Sequence, residues 1–279
     1  MKVRIIWKSR SSAASHQSAD NDGPPRGLVD ACSHILWGLD YGLIDLDLTL
    51  SILNGAANHG TTDIVVTPRT SLESQFDPET SAHILNEIRL RSDSSIRIHI
   101  GRDFLFGFSN ISDVLSNPLK YTINGLTYLN VDFTNAPLTP AADEILFKFR
   151  KEGLIPIISH AEKILALDRS MERLKAWTSM GCVLQLSAQS LSGKVGKTEQ
   201  RCAWDLLRED MVFAITSYGR DLRNNPPRLD GAWRLVKKKL GEDVARRLLI
   251  ENPSMIIQGR TQGRKPAAPE ILSYQAATG

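Results

Sequence analysis

"LVDACSHILWGLDYG", residues 28–42, decides how the rest of the chain is read. A buried-strand run carries Asp30 and Cys32, ends at Ser33 and His34, and gives way to a loop between Gly38 and Gly42 that holds Asp40. In an open or closed parallel sheet, the C-terminal ends of the strands are where ligands bind. Strand, then histidine, then loop is how many metal hydrolases begin. The stretch is therefore half of a metal site or what remains of one, and the segments downstream have to distinguish the two.

Working outward, "DLDLTLSILNGAANHG" (45–60) places Leu46, Leu50, Leu53 and Ala57 at helical spacing and stops at Gly60. "TTDIVVTP" (61–68) is β-branched and predicts a parallel strand, and "PETSAHILNEIRLRS" (78–92) predicts a helix with Pro78 near its start. "SIRIHIGRDF" (95–104) reads as one further strand, and "YTINGLTYLNVDF" (121–133) as a hairpin turning at Asn124-Gly125. "TPAADEILFKFRKEGL" (139–154) is a helix with Thr139 as its cap and Pro140 in the first turn. Strands "IPIISH" (155–160), "CVLQLSA" (182–188) and "MVFAITS" (211–217) alternate with helices "DRSMERLKAWTSMG" (168–181) and "TEQRCAWDLLRED" (198–210). "NNPPRL" (224–229) is a rigid turn into one or two closing helices. "SLSGKVGK" (190–197) lacks Walker A spacing and reads as a strand-to-helix loop, or as backbone able to approach a phosphate. No linker interrupts residues 28–260, so about seven strands alternating with helices predict a single α/β domain closed as a barrel.

The 279 residues are 42% hydrophobic, enough for one substantial core, and carry a net charge of +3. That charge lacks the strong excess of a nucleic-acid binder, so no nucleic-acid partner is expected. The basic clusters Lys2, Arg4, Lys8, Arg10 and Arg234, Lys237, Lys238, Lys239, Arg246, Arg247 read as a solvated tail and a solvated helix face. Three scattered cysteines, Cys32, Cys182 and Cys202, form no disulfide framework and fit a reducing cytoplasm. "VRIIW" is too short for a signal-peptide core, and no apolar run approaches the roughly 18 residues of a membrane span. The expected organisation is a disordered leader over 1–27, a barrel domain over 28–260 and a tail over 261–279.

The predicted strand ends hold His34, Arg69, Asp103, His160, Gln185 and Tyr218. Imidazole and carboxylate suit zinc, manganese or iron, although a lone strand-end histidine also serves as a hydrogen-bonded structural residue. Cys32 reads equally as a zinc thiolate or as a small buried hydrophobe. Arg69 and Arg220 keep their charge, repel a divalent cation at close range and attract phosphate through paired hydrogen bonds; pairing with Glu162 or Asp221 is the alternative.

The segments "LVDACSHILWGLDYG", "HGTTDIVVTPR", "RKEGLIPIISHAEK", "LSAQSLSGKVGK", "NNPPRL" and "ENPSMIIQG" follow one another in an order and spacing similar to one family. From about Leu28 to Arg260 the chain resembles the PHP-type bacterial tyrosine phosphatases of capsule and exopolysaccharide operons (CpsB/YwqE-like). The resemblance implies a distorted PHP-type (β/α)7 barrel and hydrolysis of phosphotyrosine on a tyrosine kinase that controls polysaccharide polymerisation. It also implies several metals at the strand ends, which activate water and clamp phosphate, and a capacity to oligomerise.

The motifs depart from that pattern residue by residue. The family's Asp-x-His-x-His is Asp30, Ala31, Cys32, Ser33, His34 here, and its paired loop aspartates are Asp40 and Tyr41. A ligand histidine is replaced by Arg69, a bridging glutamate falls on Asp103, and a phosphate-side arginine is Lys163 behind the retained His160 and Glu162. An Asp-x-His pair becomes Tyr218 and Arg220, and the arginine before the double proline is Asn225. The resemblance therefore leaves His34, Asp103 and His160, with Cys32, as the residual metal set, and Asp40, Arg69, Lys163 and Arg220 as the catalytic or phosphate-side positions. The expected protein is a catalytically impaired, cytoplasmic homologue without a cofactor, binding a tyrosine kinase or its phosphotyrosine tail. The alternative is an active phosphatase with one divalent metal (manganese, iron or zinc).

Overall fold

β-Branched and aliphatic runs buried on both faces form parallel strands, and amphipathic segments between them form the covering helices. The computed structural model describes residues 25–38, 45–70, 78–92, 94–107, 111–134, 136 and 138–261. Of the expected leader and tail, only residues 25–27 and 261 fall within that set. Residues 25–27 lie against the Gly60 turn, where Gly27 N–H donates to Gly60 O at 3.1 Å.

The strands are β1 (Leu28–Ser33), β2 (Thr61–Val66), β3 (Arg69–Thr70), β4 (Arg97–Ile100), β5 (Asp103–Leu105), β6 (Tyr128–Asp132), β7 (Ile155–Ile158), β8 (Val183–Ser187) and β9 (Val212–Thr216). All pair in parallel, in a sheet of order β1-β2-β4 and a sheet of order β3-β5-β6-β7-β8-β9. β2 and β3 are halves of one strand path broken at Thr67 and Pro68, and β4 and β5 are halves of another broken at Gly101 and Arg102. Among the described residues the two sheets thus supply seven strand stations. The ring closes where Tyr218 N–H donates to Cys32 O (3.1 Å), His34 N–H donates to Gly219 O (2.7 Å) and Ser33 bridges Gly219. Asp30 reinforces this seam: it is fully buried on β1 and accepts hydrogen bonds from Ser217 N–H, the Ser217 hydroxyl and the Thr216 hydroxyl. Burial raises its pKa despite those bonds. This architecture is the single-domain α/β fold with a parallel ring of strands expected from the sequence.

The inward side chains Ala31, Val65, Tyr128, Ile155, Ile157 and Ala214 make an apolar plug with Ile256. Outside, helices α1 (Leu46–Ala57) and α2 (Pro78–Arg91) cover β2 and β4 through Ile52, Leu53, Ile64, Ile88 and Ile98. A larger layer holds α3 (Ile111–Ser116), α4 (Pro140–Lys151), α5 (Ala161–Asp168), α6 (Glu172–Ser179), α7 (Ala188–Ser192), α8 (Lys197–Arg208) and α9 (Asp230–Leu240) around Leu146, Phe149, Trp177 and Leu206. Short helices α10 (Glu242–Arg246) and α11 (Asn252–Gln258) end the described chain. Among the described residues no helix is long and apolar enough to cross a membrane.

Three local expectations change. The single strand over 95–104 is two, because the chain bends at Gly101, where a Cβ would lie 2.8 Å from Ile123 Cγ1. No hairpin forms at Asn124-Gly125. The pair makes a left-handed turn (Asn124 φ 54°) inside a 3-10 segment, and its upstream leg packs Tyr121 edge-on against Phe104 at 5.9 Å instead of pairing. Asn124 is pinned there by its own side chain, which donates to Ile257 O (2.9 Å) and accepts from Ile100 N–H (3.3 Å). Thr139 occupies the cap position of α4 but makes no capping bond, so Pro140 at the first turn fixes the start of this helix.

Candidate functional site

β1 ends by delivering Cys32 and His34 to the barrel mouth, and β5 begins there with Asp103. One ligand atom from each of the three lies within 4.8 Å of the others, and all three side chains are buried. Thr67, at the break between β2 and β3, holds two of them. Its carbonyl accepts from His34 Nδ1 at 2.8 Å, and its hydroxyl lies 3.1 Å from Cys32 Sγ. A carbonyl accepts only, so Nδ1 carries the proton and Nε2 is the atom presented to Asp103 Oδ2, 3.6 Å away.

A second group forms across the mouth at the ends of β7 and β9. His160 (φ 53°) and Tyr218 (φ 48°) both adopt the left-handed backbone region, which costs a non-glycine residue conformational energy and persists where the surrounding structure holds it in place. Their rings stack at 3.7 Å. The Tyr218 hydroxyl accepts from His160 N–H (3.0 Å) and donates to Gln185 Oε1 (3.0 Å). Burial, together with the nearby Cys32, Glu162 and Asp103, pushes the Tyr218 pKa well above that of an ordinary phenol, so the ring stays neutral. Glu162, fully buried in the first turn of α5, stands 3.7 Å from His160 Nδ1 and accepts from the Ser190 hydroxyl at 2.8 Å.

Between these groups opens a cavity of about 290 Å³, lined by His34, His160, Tyr218, Lys163 and Arg220, with Thr134, Ser187, Gln189, Val195 and Asn225 at its sides. Arg220 is exposed, and the loop that carries it is shaped by Asn225, whose amide donates to Tyr218 O at 2.6 Å. The loop is also tied by Asp221, which accepts from three successive backbone N–H groups, those of Arg223, Asn224 and Asn225.

The residues singled out from the sequence therefore divide. Cys32, His34 and Asp103 come together; His160 shares the cavity with His34 but pairs with Tyr218 and Glu162. Lys163 and Arg220 line the cavity. Arg69 stands opposite Asp103 in the β3–β5 register, and its side chain lies outside the described residues, as does the whole of Asp40. Sequence reasoning missed Thr67, Ser190 and Asn130. Asn130 is the register partner of Asp103 on β6, so its side chain shares the inward face; it is fully buried, and neither amide atom finds a hydrogen-bond partner among the described residues. An amide among aliphatic positions on a strand was the available signal.

Comparison with known proteins agrees with this fold. The family model "Capsular polysaccharide synthesis, CpsB/CapC" matches residues 28–258. The tyrosine-protein phosphatase CpsB of Streptococcus agalactiae is 24% identical over 240 residues, 83% of this chain and 98% of that protein. The tyrosine-protein phosphatase YwqE of Bacillus subtilis is 20% identical over 246 residues, 87% of this chain and 96% of that one. A crystal structure from work on YwqE of B. subtilis and CpsB of Streptococcus pneumoniae, described as metal-dependent tyrosine phosphatases, superposes with a TM-score of 0.78 at 19% identity, covering 87% of this chain and 99% of that one. With the parallel ring, the strand-end site and a family match that runs through both, the chain belongs to the CpsB/CapC family of capsular polysaccharide synthesis.

Proposed function

We propose that the chain is a catalytically impaired member of its family that works in the cytoplasm. It binds the phosphotyrosine tail of a capsule or exopolysaccharide tyrosine kinase at the barrel mouth and releases phosphate weakly or not at all. The observation that carries this reading is the lining of the cavity: Lys163 and Arg220 with Tyr218, His34 and His160, and no carboxylate among the described lining residues. A tyrosine phosphate brings about −1.5 to −2 charges and three strong acceptor oxygens. A guanidinium offers it a planar fork and an ammonium a point charge. Impairment follows from Tyr218. A neutral phenol already engaged with His160 and Gln185 does not neutralise cations as an aspartate would, so a cluster of several metals is short of an anionic donor at this position. Losing even an outer-shell partner of a metal ligand costs about 10–100-fold in affinity or activity.

The test is binding of a phosphotyrosine peptide and its unphosphorylated twin by fluorescence anisotropy, with phosphate release followed in the presence of manganese. The expected result is phosphate-dependent binding, weakened by Lys163→Gln and by Arg220→Gln, with little or no release. Rapid multiple turnover would overturn the impairment, and equal affinity for both peptides would overturn the binding site. One observation favours a second reading, an active phosphatase with one metal: Cys32, His34 and Asp103 converge as a donor set. On that reading phosphate release requires added metal and disappears with Asp103→Asn.

A further inference from the structure

We infer that a cleft between α5 and α8, on the outside of the barrel, binds a small aliphatic phosphate ester, its phosphate held by Arg169 and Arg201 and its carbon chain laid over Leu165 and Met171. The cleft has a volume of about 480 Å³ and shares no lining residue with the mouth. Sites for small molecules commonly enclose about 300–1,000 Å³, with an apolar lining and a few convergent polar groups.

The helical period builds the cleft. On α8, Thr198, Arg201, Cys202 and Asp205 stand at i, i+3, i+4 and i+7, so one stripe of the helix faces it. The last turn of α5 supplies Leu165 and Ala166 from the other side. Leu165 and Cys202 are buried and make an apolar floor, and Met171 packs beside it. An unbranched thioether adjusts to chains of different length and shape.

The charges around that floor are unbalanced. Asp205 is already engaged by Arg208, whose Nη1 donates to Oδ1 at 2.6 Å. Arg169 and Arg201 form no salt bridge among the described residues. Two guanidiniums without a carboxylate, at the edge of an apolar floor, match an anion that carries an apolar body. A phosphate monoester brings about −1.5 to −2 charges near neutral pH, which suits two cations better than the single charge of a carboxylate.

The backbone of Arg169 separates this role from a structural one. Arg169 closes α5 in the left-handed region (φ 55°, ψ 13°), with its N–H donating to Leu165 O at 2.9 Å. Glycine ends a helix in this way without the steric cost of a Cβ. The arginine side chain is therefore carried at a backbone cost. Arg169→Gly removes the guanidinium and relieves the strain together, so ligand affinity and fold stability move in opposite directions.

The test is isothermal titration calorimetry of the full chain with n-hexyl phosphate at about pH 7.5, where the ester is mostly a dianion. Wild type and the double variant Lys163→Gln/Arg220→Gln are expected to bind it equally at this site, which keeps the cleft distinct from the proposed phosphotyrosine site at the mouth. n-Butyl phosphate should bind about 10-fold more weakly than hexyl, from two fewer buried methylenes, and inorganic phosphate more weakly again. Heptanoate, with the same six-carbon body and one charge, should bind more weakly than hexyl phosphate. Arg201→Gln and Arg169→Gly should each cost about 10-fold in affinity, and Arg169→Gly should melt no lower than wild type. Absence of binding, affinity independent of chain length, heptanoate binding as tightly as hexyl phosphate, or loss of binding in the mouth variant would each overturn the inference. So would a folded Arg169→Gly that binds as wild type does, or weaker binding accompanied by a lower melting temperature in both arginine variants.

Discussion

Tyr218 shows how one side chain sets the character of the mouth. Its ring fills space against His160, and its hydroxyl supplies the partner for one buried N–H and one buried carbonyl-type oxygen. Tyr218→Phe keeps the stack and leaves His160 N–H and Gln185 Oε1 without their partner. An unmet buried polar group costs about 1–3 kcal/mol, so a loss of that order is expected in urea unfolding. A change smaller than a few tenths of a kcal/mol would mean that water replaces the hydroxyl at no cost. The left-handed backbone at both His160 and Tyr218 adds strain that the bonds between them hold in place.

Breaks in the strands shape the site as much as the strands do. Thr67 and Pro68 interrupt one strand path and Gly101 and Arg102 its neighbour, and the chain re-forms as β3 and β5 with Asp103 at the rim. Gly101 permits this because Ile123 and Val65 close over it, leaving no room for a Cβ. Gly101→Ala is expected to destabilise the protein by about 1–3 kcal/mol through overpacking, read as a lower melting temperature.

Toward the opposite end of β2 and β4, Asp63 joins elements through charge. It accepts two bonds from Arg97 (2.8 and 2.6 Å) and one from His99 (3.0 Å). Burial pushes its pKa up, but the bonds from His99, Arg97 and Thr62 outweigh that and hold it below 3.8. A carboxylate with a depressed folded pKa stabilises the fold fully above its unfolded value and loses that contribution as pH falls through the folded one. The stability difference between wild type and Asp63→Asn should therefore be steady near pH 5 and shrink below about pH 4. A difference that grows in acid would refute the assignment.

Over the whole molecule, a net charge of +3 gives little long-range attraction for an anionic peptide. On the proposed reading attraction is concentrated at the mouth instead, where Lys163 and Arg220 line a cavity with Thr134, Ser187, Gln189 and Asn225. Phosphopeptide affinity should fall by about 10-fold or less between low and physiological salt, because only a few charges are matched and the Debye length is already about 8 Å at 0.15 M. Lys163→Gln and Arg220→Gln should each flatten that dependence. An unchanged salt slope in both variants would place the anion elsewhere.

The sequence by itself determined the alternation of strands and helices, the single α/β domain, and the family, because hydrophobic period, Gly and Pro punctuation and motif order are local properties. It also put Cys32, His34, Asp103, Lys163 and Arg220 at or near strand ends. It misplaced the hairpin at Asn124-Gly125, since a left-handed Asn-Gly turn has the same local signature whether or not its flanks pair. Only the tertiary structure decided that His160 joins Tyr218 and Glu162 while Cys32, His34 and Asp103 converge without it. Only the tertiary structure, too, brought Thr67 and Asn130 into the site. These groupings depend on inter-strand register and on where the ring closes, and both are fixed by contacts between residues far apart in the chain.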